Sequence, residues 1–238
     1  MTTLRNFVDL HVMPRPDDAQ SCSQTAKLLR MAGFKAVGVT VPTGLMSNQI
    51  RDLHQTFVEA GLEVFTRADL VCSQRRDLLK MLRHFRNRFD IISVRCSNHN
   101  IALVAARDRR VDLIFFDPAQ RKVWFDHSTA NVSHAALEFN MSALYSRTYD
   151  SFTKVMKDFR IALQHNVRIV LSSGCWSPIM VRTPTQLSAV GIMLGLKRVQ
   201  AHDGVSSIPW SLVTKNSERR SNRYLEDGVR LITGKDSN

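Results

Sequence analysis

Seven short runs of β-branched and apolar residues, each followed by a longer stretch with apolar residues at helical spacing, constrain this chain more than any other feature of its sequence. The runs are Phe7–Val12, Lys35–Val41, Leu62–Thr66, Asp90–Val94, Asp112–Phe116, Ala135–Phe139 and Val167–Leu171. Their rhythm predicts βα units and a parallel sheet, because parallel neighbours need a crossover long enough to hold a helix. An eighth strand of a barrel is not evident. In the helix before the seventh run, Phe152, Val155, Met156, Phe159, Ala162 and Leu163 are expected on one inner face, with Asp150 or Ser151 as the cap. Thr183-Pro184 reads as a cap and first helical position, with Leu187, Val190, Gly191 and Leu194 inside and Gly195 interrupting the helix. Beyond Leu196 the strand pattern stops, and short helices are expected, separated by Gly204 and a Ser206–Pro209 turn.

At 238 residues with 44% hydrophobic side chains and seven prolines, the chain has the material for one domain spanning 1–238, with a frayed tail after Thr233. The opening residues lack the order of a secretory signal, and no apolar run reaches bilayer-spanning length. A cytoplasmic protein without membrane contact is expected. Cys22, Cys72, Cys96 and Cys175 are widely spaced and form no C-x-x-C pair, so buried free thiols are expected.

A formal charge of +12 points to a polyanionic partner. Two segments hold +10 of it: Arg75 to Arg110 carries +7, and Lys197 to Arg230 carries +3. The cations are mostly arginine, which suits bidentate phosphate contacts. The candidate nucleic-acid-contacting residues are Arg75, Arg76, Lys80, Arg83, Arg107, Arg109 and Arg110 in the first segment, and Lys197, Arg198, Arg219, Arg220 and Arg223 in the second. Leu78, Leu79, Leu82 and Phe85 would face inward on one helix, leaving Arg76, Lys80 and Arg83 as an outer stripe.

In a parallel α/β barrel, function gathers at the C-terminal ends of the strands. Here those ends offer His11, Asp69, Arg95, Asp117, Asn140, Ser172 and Ser173. Asp9-Leu10-His11-Val12-Met13 resembles the first metal motif of the polymerase-and-histidinol-phosphatase barrel enzymes, but Met13 stands where a second histidine is needed. A thioether is a poor donor to the divalent ions that hydrolyse phosphoesters, so His11 reads as structural and a metal-dependent phosphoesterase is the alternative reading. Asp126-His127 reads as a helix cap rather than a catalytic dyad, and Ser172-Ser173-Gly174 lacks the flanking glycine of a nucleophile elbow.

The ordered series Ala135-Ala136-Leu137-Glu138-Phe139-Asn140, then Val167-Arg168-Ile169-Val170-Leu171-Ser172-Ser173-Gly174, then Val181-Arg182-Thr183-Pro184 and Leu187 resembles the p30-type subunit family of archaeal and eukaryotic ribonuclease P. Asp126-His127, Arg107 and Val111-Asp112-Leu113 support it, whereas Cys175-Trp176 and Lys122–Phe125 depart from the family pattern. The resemblance implies a distorted TIM-like barrel with extra C-terminal helices. It implies a subunit that supports a catalytic RNA in removing the 5′ leader from precursor tRNA. The chemistry and its Mg2+ would belong to the RNA, with no cofactor held by this chain, and a small RRM-like protein subunit would be a partner. Arg182 matches the family's arginine after the Ser-Ser-Gly strand end. It would either tie its loop through nearby carbonyls or a carboxylate such as Asp117, or reach an RNA phosphate.

Overall fold

The computed structural model describes residues 6–42, 44, 47–118, 122–144, 149–220, 224–226 and 229–230. Seven parallel strands follow one another in sequence order: β1 (Val8–Val12), β2 (Ala36–Thr40), β3 (Glu63–Val71), β4 (Ile91–Arg95), β5 (Leu113–Phe115), β6 (Ala136–Asn140) and β7 (Ile169–Ser172). Each expected run overlaps a strand, but β3 continues to Val71, five residues past the expected end at Thr66. Six helices lie in the crossovers: α1 (Ala19–Met31), α2 (Ser47–Glu59), α3 (Arg75–Phe85), α4 (His99–Arg107), α5 (His127–Val132) and α6 (Tyr149–Gln164). Three more follow β7: α7 (Pro184–Met193), α8 (Arg198–Asp203) and α9 (Ser207–Arg220). The result is a nearly closed TIM-like barrel.

Two apolar clusters hold it together. The larger lies between the strands and the surrounding helices. The smaller fills the lower lumen with Val8, Leu10, Ala36, Phe65, Ile91, Leu113, Ala136 and Val170, so every strand contributes, and Leu212 and Val213 of α9 plug it from below. Between β1 and β7 there is no continuous ladder. Val8 N donates to Val205 O (2.9 Å) and Leu171 N to Gly204 O (2.9 Å), so the turn between α8 and α9 bridges the lower part of the gap. Above it, Ser173 N donates to the Asp9 carboxylate (3.1 Å), and Val12 and Cys175 form an isolated bridge. The buried N–H groups of two unpaired strand edges thus find partners without an eighth strand.

Some local expectations need correction. Helix α6 begins at Tyr149, so neither Asp150 nor Ser151 is its cap; both residue types also favour a first turn, which blurs the boundary signal. Met156 is 42% exposed and Asp158 is buried instead, because the inward stripe runs 152, 155, 159, 162 and places position 156 at its edge. Pro209 does not form a turn. It occupies the first turn of α9, where its missing N–H costs nothing. A short antiparallel pair, β8 (Tyr224–Glu226) and β9 (Val229–Arg230), follows α9 where no strand pattern was evident. By contrast, α7 has the expected Thr183 cap and a capping box with Gln186, and Gly195 follows its end at φ +107°. The tail beyond Thr233 lies outside the described residues.

Candidate functional site

The upper lumen is polar. Continuing inward by two residues from Phe65, Ile91, Ala136 and Val170 places Arg67, Ser93, Glu138 and Ser172 in one layer. Arg67 is fully buried. Its Nη1 and Nη2 donate to the two oxygens of Glu138, each at 2.6 Å, and its Nε donates to Asp69 Oδ1 at 2.6 Å. A further bond runs from Nη1 to Leu10 O (2.9 Å), and Ser172 Oγ donates to Glu138 (2.7 Å). The guanidinium fork, the carboxylate and the hydroxyl satisfy one another, which is what permits such charge inside a barrel.

A register shift in β1 completes the arrangement. Asp9 pairs with Val37 and Val12 with Val39, so β1 carries one extra residue relative to β2. Leu10 packs in the lower lumen, yet the adjacent His11 side chain also turns inward. Room for the Leu10 carbonyl comes from Gly38, where a Cβ would lie 2.5 Å from that oxygen.

His11 Nε2 lies 3.1 Å from Asp69 and Nδ1 3.4 Å from Glu138. Burial and the Arg67 charge oppose protonation of the ring, but Asp69 and Glu138 outweigh them and raise its pKa to about 9. Asn140 exerts the opposite influence. Its Oδ1 is held by Ser142 N (2.9 Å) and Oγ (2.8 Å), so its NH2 faces His11 Nδ1 at 3.0 Å and suits a neutral ring protonated toward Asp69. Protonating His11 therefore requires the Asn140 amide to turn. Burial favours protonation of Glu138 and Asp69, but Arg67 and His11 pull both carboxyls below their usual range. For Asp9 burial prevails, raising its pKa despite bonds from Ser173 and His11.

The structure thus gathers His11, Asp69 and Ser172 around Arg67 and Glu138, with Asn140 against His11 and Ser173 against Asp9. It sets the Arg95–Asp117 pair (2.6 Å) beside Phe115 at the same end. Arg67 and Glu138 were not singled out from the sequence. Arg67 lies one residue past the expected end of the third run, so only Glu138, the one charge in the sixth run, offered a signal. Gly174 has a clear reason in the Ser-Ser-Gly series: its φ is +61°, and a Cβ there would lie 1.9 Å from Asn140 Oδ1. Among the described residues, no group of three or more His, Cys, Asp or Glu side chains is arranged to hold a metal ion.

The outer candidates divide by environment. Arg75, Arg76, Lys80 and Arg83 are exposed on α3, while Leu78 and Leu82 beneath them are fully buried. Leu79 and Phe85, expected inside, are half-buried. Arg107, Arg109, Lys197 and Arg198 are also exposed. Arg110 instead grips Asp108 with Nε and Nη2 (2.8 and 2.6 Å), and Arg220 pairs with Asp90. Arg219 is half-buried near the end of α9, and Arg223 lies outside the described residues. Arg182 Nη1 donates to Ile179 O (2.9 Å) and Val181 O (2.8 Å), in keeping with a role in tying its loop. Asp126 caps α5 by accepting from Thr129 N (2.8 Å). All four cysteines are free; Cys22, Cys96 and Cys175 are buried, Cys72 half-buried, and burial raises the pKa of each, so none has the character of an activated thiolate. No helix among the described residues is long and apolar enough to cross a membrane.

Comparison with known proteins agrees with this architecture. Ribonuclease P protein component 3 of Methanosarcina acetivorans is 23% identical over 237 residues, covering 97% of each chain. The protein of the same name from Methanococcoides burtonii is 21% identical over 235 residues, covering 96% of this chain and 95% of its own. A chain in the cryo-EM structure of archaeal ribonuclease P with mature tRNA superimposes with a TM-score of 0.81 at 16% identity, covering 95% of this chain and 98% of that one. The family model for RNase P subunit p30 matches residues 6–221, and the chain belongs to that family.

Proposed function

We propose that this chain is a protein subunit of ribonuclease P that supports the catalytic RNA in removing 5′ leaders from precursor tRNA and performs no bond chemistry itself. The observation that carries the second half of the reading is Arg67. Its guanidinium engages Asp69 and both oxygens of Glu138, the carboxylates from which a phosphoesterase of this barrel type would need to draw metal ligands. The residues at the mouth therefore do not fit a divalent centre. Mg2+ belongs in this reading to the RNA active site.

The exposed arginines and lysines supply phosphate contacts that fix orientation on a folded RNA without reading its sequence. A small RRM-like protein subunit is the proposed protein partner, precursor tRNA the substrate of the assembled particle, and the cytoplasm its place of action.

Reconstitution tests this directly. Precursor-tRNA cleavage by purified RNase P RNA and proteins should rise when this chain is included, while the chain alone should not cleave phosphodiesters at any added divalent metal. Metal-dependent turnover by the chain alone that disappears on His11→Ala would replace this reading with the phosphoesterase.

A further inference from the structure

Residues from several separate stretches of the sequence converge beneath the barrel, at the end crossed by α9. A cavity of about 160 Å3 opens there between the α4–β5 turn, the approaches to β6 and β7, and α9. Its walls include Arg109, Arg168, Lys215 and Arg219, with His134 and Asp112 among the remaining lining residues. Asp112 contributes little negative potential, since its Oδ2 already accepts from Arg86 Nη1 (2.6 Å) and Ile92 N (2.8 Å). The Arg168 guanidinium is steered by a bond to His134 O (3.3 Å).

Lys215 and Arg219 stand four residues apart on α9 and both line the cavity. Asn216, between them, anchors the helix by donating to Asp90 O (2.9 Å). The volume is roughly five times the ~30 Å3 that one water occupies in the liquid, which is room for a phosphodiester group.

We propose that this cavity binds a backbone phosphate of a structured RNA, with the guanidinium of Arg109 or Arg168 as the fork and the α9 cations completing the charge. The inference rests on the RNA-binding reading above. RNA is favoured over an acidic protein segment because the cations come from separate elements fixed by one scaffold and the whole chain carries +12, a combination suited to a continuous polyanion. Arg168 and Lys215 were not among the candidates read from the sequence.

The test uses the full chain and RNase P RNA, with affinity measured as a function of salt. Replacing Arg109, Arg168 and Lys215 together with Ala should lower the slope of log affinity against log salt by about 0.7 to 0.9, the contribution of one phosphate contact. Arg109→Lys/Arg168→Lys, which keeps the charge, should retain the slope. Should the triple variant fail to fold, Arg168→Gln and Lys215→Gln singly should each lower the slope by a part of that single-contact value. An unchanged slope in the cavity variants, alongside a reduced slope for Arg76→Ala/Lys80→Ala/Arg83→Ala, overturns the cavity site and leaves the RNA reading intact. Unchanged slopes in both sets overturn both. Normal RNA binding combined with loss of an acidic protein partner also overturns the proposal, since the occupant would then be protein.

Discussion

Arg67 and Arg76 carry the same guanidinium, yet one is fully buried in the barrel between Glu138 and Asp69 while the other stands exposed on the outer face of α3. In the lumen, water cannot solvate the charge, so every N–H must find an acceptor from the chain and removing one partner strands the other. On α3, water does the solvating and salt screens the charge, so the side chain contributes little to stability and remains available to an external anion. Burial, rather than residue type, separates architecture from interface here. The basic segment from Arg75 to Arg110 contains both kinds: Arg86 is bound to Asp112 and to the carbonyls of Arg110, Phe89 and Asp90, whereas Arg83 is exposed.

The strongest way to break that contrast is Arg67→Met, which should destabilise the protein by about 3 to 5 kcal/mol in urea unfolding because it leaves Glu138 buried and uncompensated. The double change Arg67→Met/Glu138→Leu should cost much less than the two singles summed, and simple additivity would show that the pair is not coupled. Next in size, Gly174→Ala should cost about 1 to 3 kcal/mol, since its φ of +61° and the adjacent Asn140 leave no place for a Cβ.

Asp158 sharpens the contrast through pH. Burial, opposed by a bond from the Phe125 backbone and by Lys154 and Lys157, raises its pKa from 3.8 to about 7. The folded state therefore holds this proton more tightly than the unfolded chain. Its contribution to stability is full below about pH 4 and is lost as pH rises through about 7. Asp158→Asn should flatten the fall in stability between about pH 4 and 7 by on the order of 1 to 3 kcal/mol, and an unchanged profile would place the proton elsewhere. His11 loses its contribution over a higher range, toward about pH 9, so the variant isolates Asp158. Arg182→Ala should lower stability by about 1 kcal/mol in a thermal melt through its two loop carbonyls; an unchanged melt with weaker RNA assembly would move Arg182 to the interface. The smallest stability effect belongs to Arg76→Ala/Lys80→Ala/Arg83→Ala, within about 0.5 kcal/mol per residue, although its salt slope for RNA binding should fall by about 2 to 3.

The strand rhythm was legible because inward and outward faces of a covered parallel sheet are both largely apolar, giving runs such as Ile91–Val94 that stand out from their surroundings. The stripe on α3 was legible for the same kind of reason: Leu78 and Leu82 recur at helical spacing. The lumen network was not. Arg67 and Glu138 are 71 residues apart and lie on strands three places removed, so only barrel curvature brings them together. The inward turn of His11 depends on one extra residue in β1, which a regular alternation cannot foresee. Arg168 escaped notice because it lies outside both basic segments and gains its neighbours only when α9 passes beneath the barrel.

The turn at Gly204-Val205 has a consequence for how the chain is made. Strand β1 is synthesised well before α9, and the carbonyl that accepts from Val8 N is Val205 O, nearly 200 residues later. Leu212 and Val213, which cap the lower lumen against Val8 and Leu10, emerge later still. A nascent chain bearing all seven strands but not α9 would display an open, apolar lumen to the surrounding solution. Closure is thus a late event of high sequence separation, slow for the reason that all distant contacts are slow, and premature release before α9 should yield a product prone to aggregate.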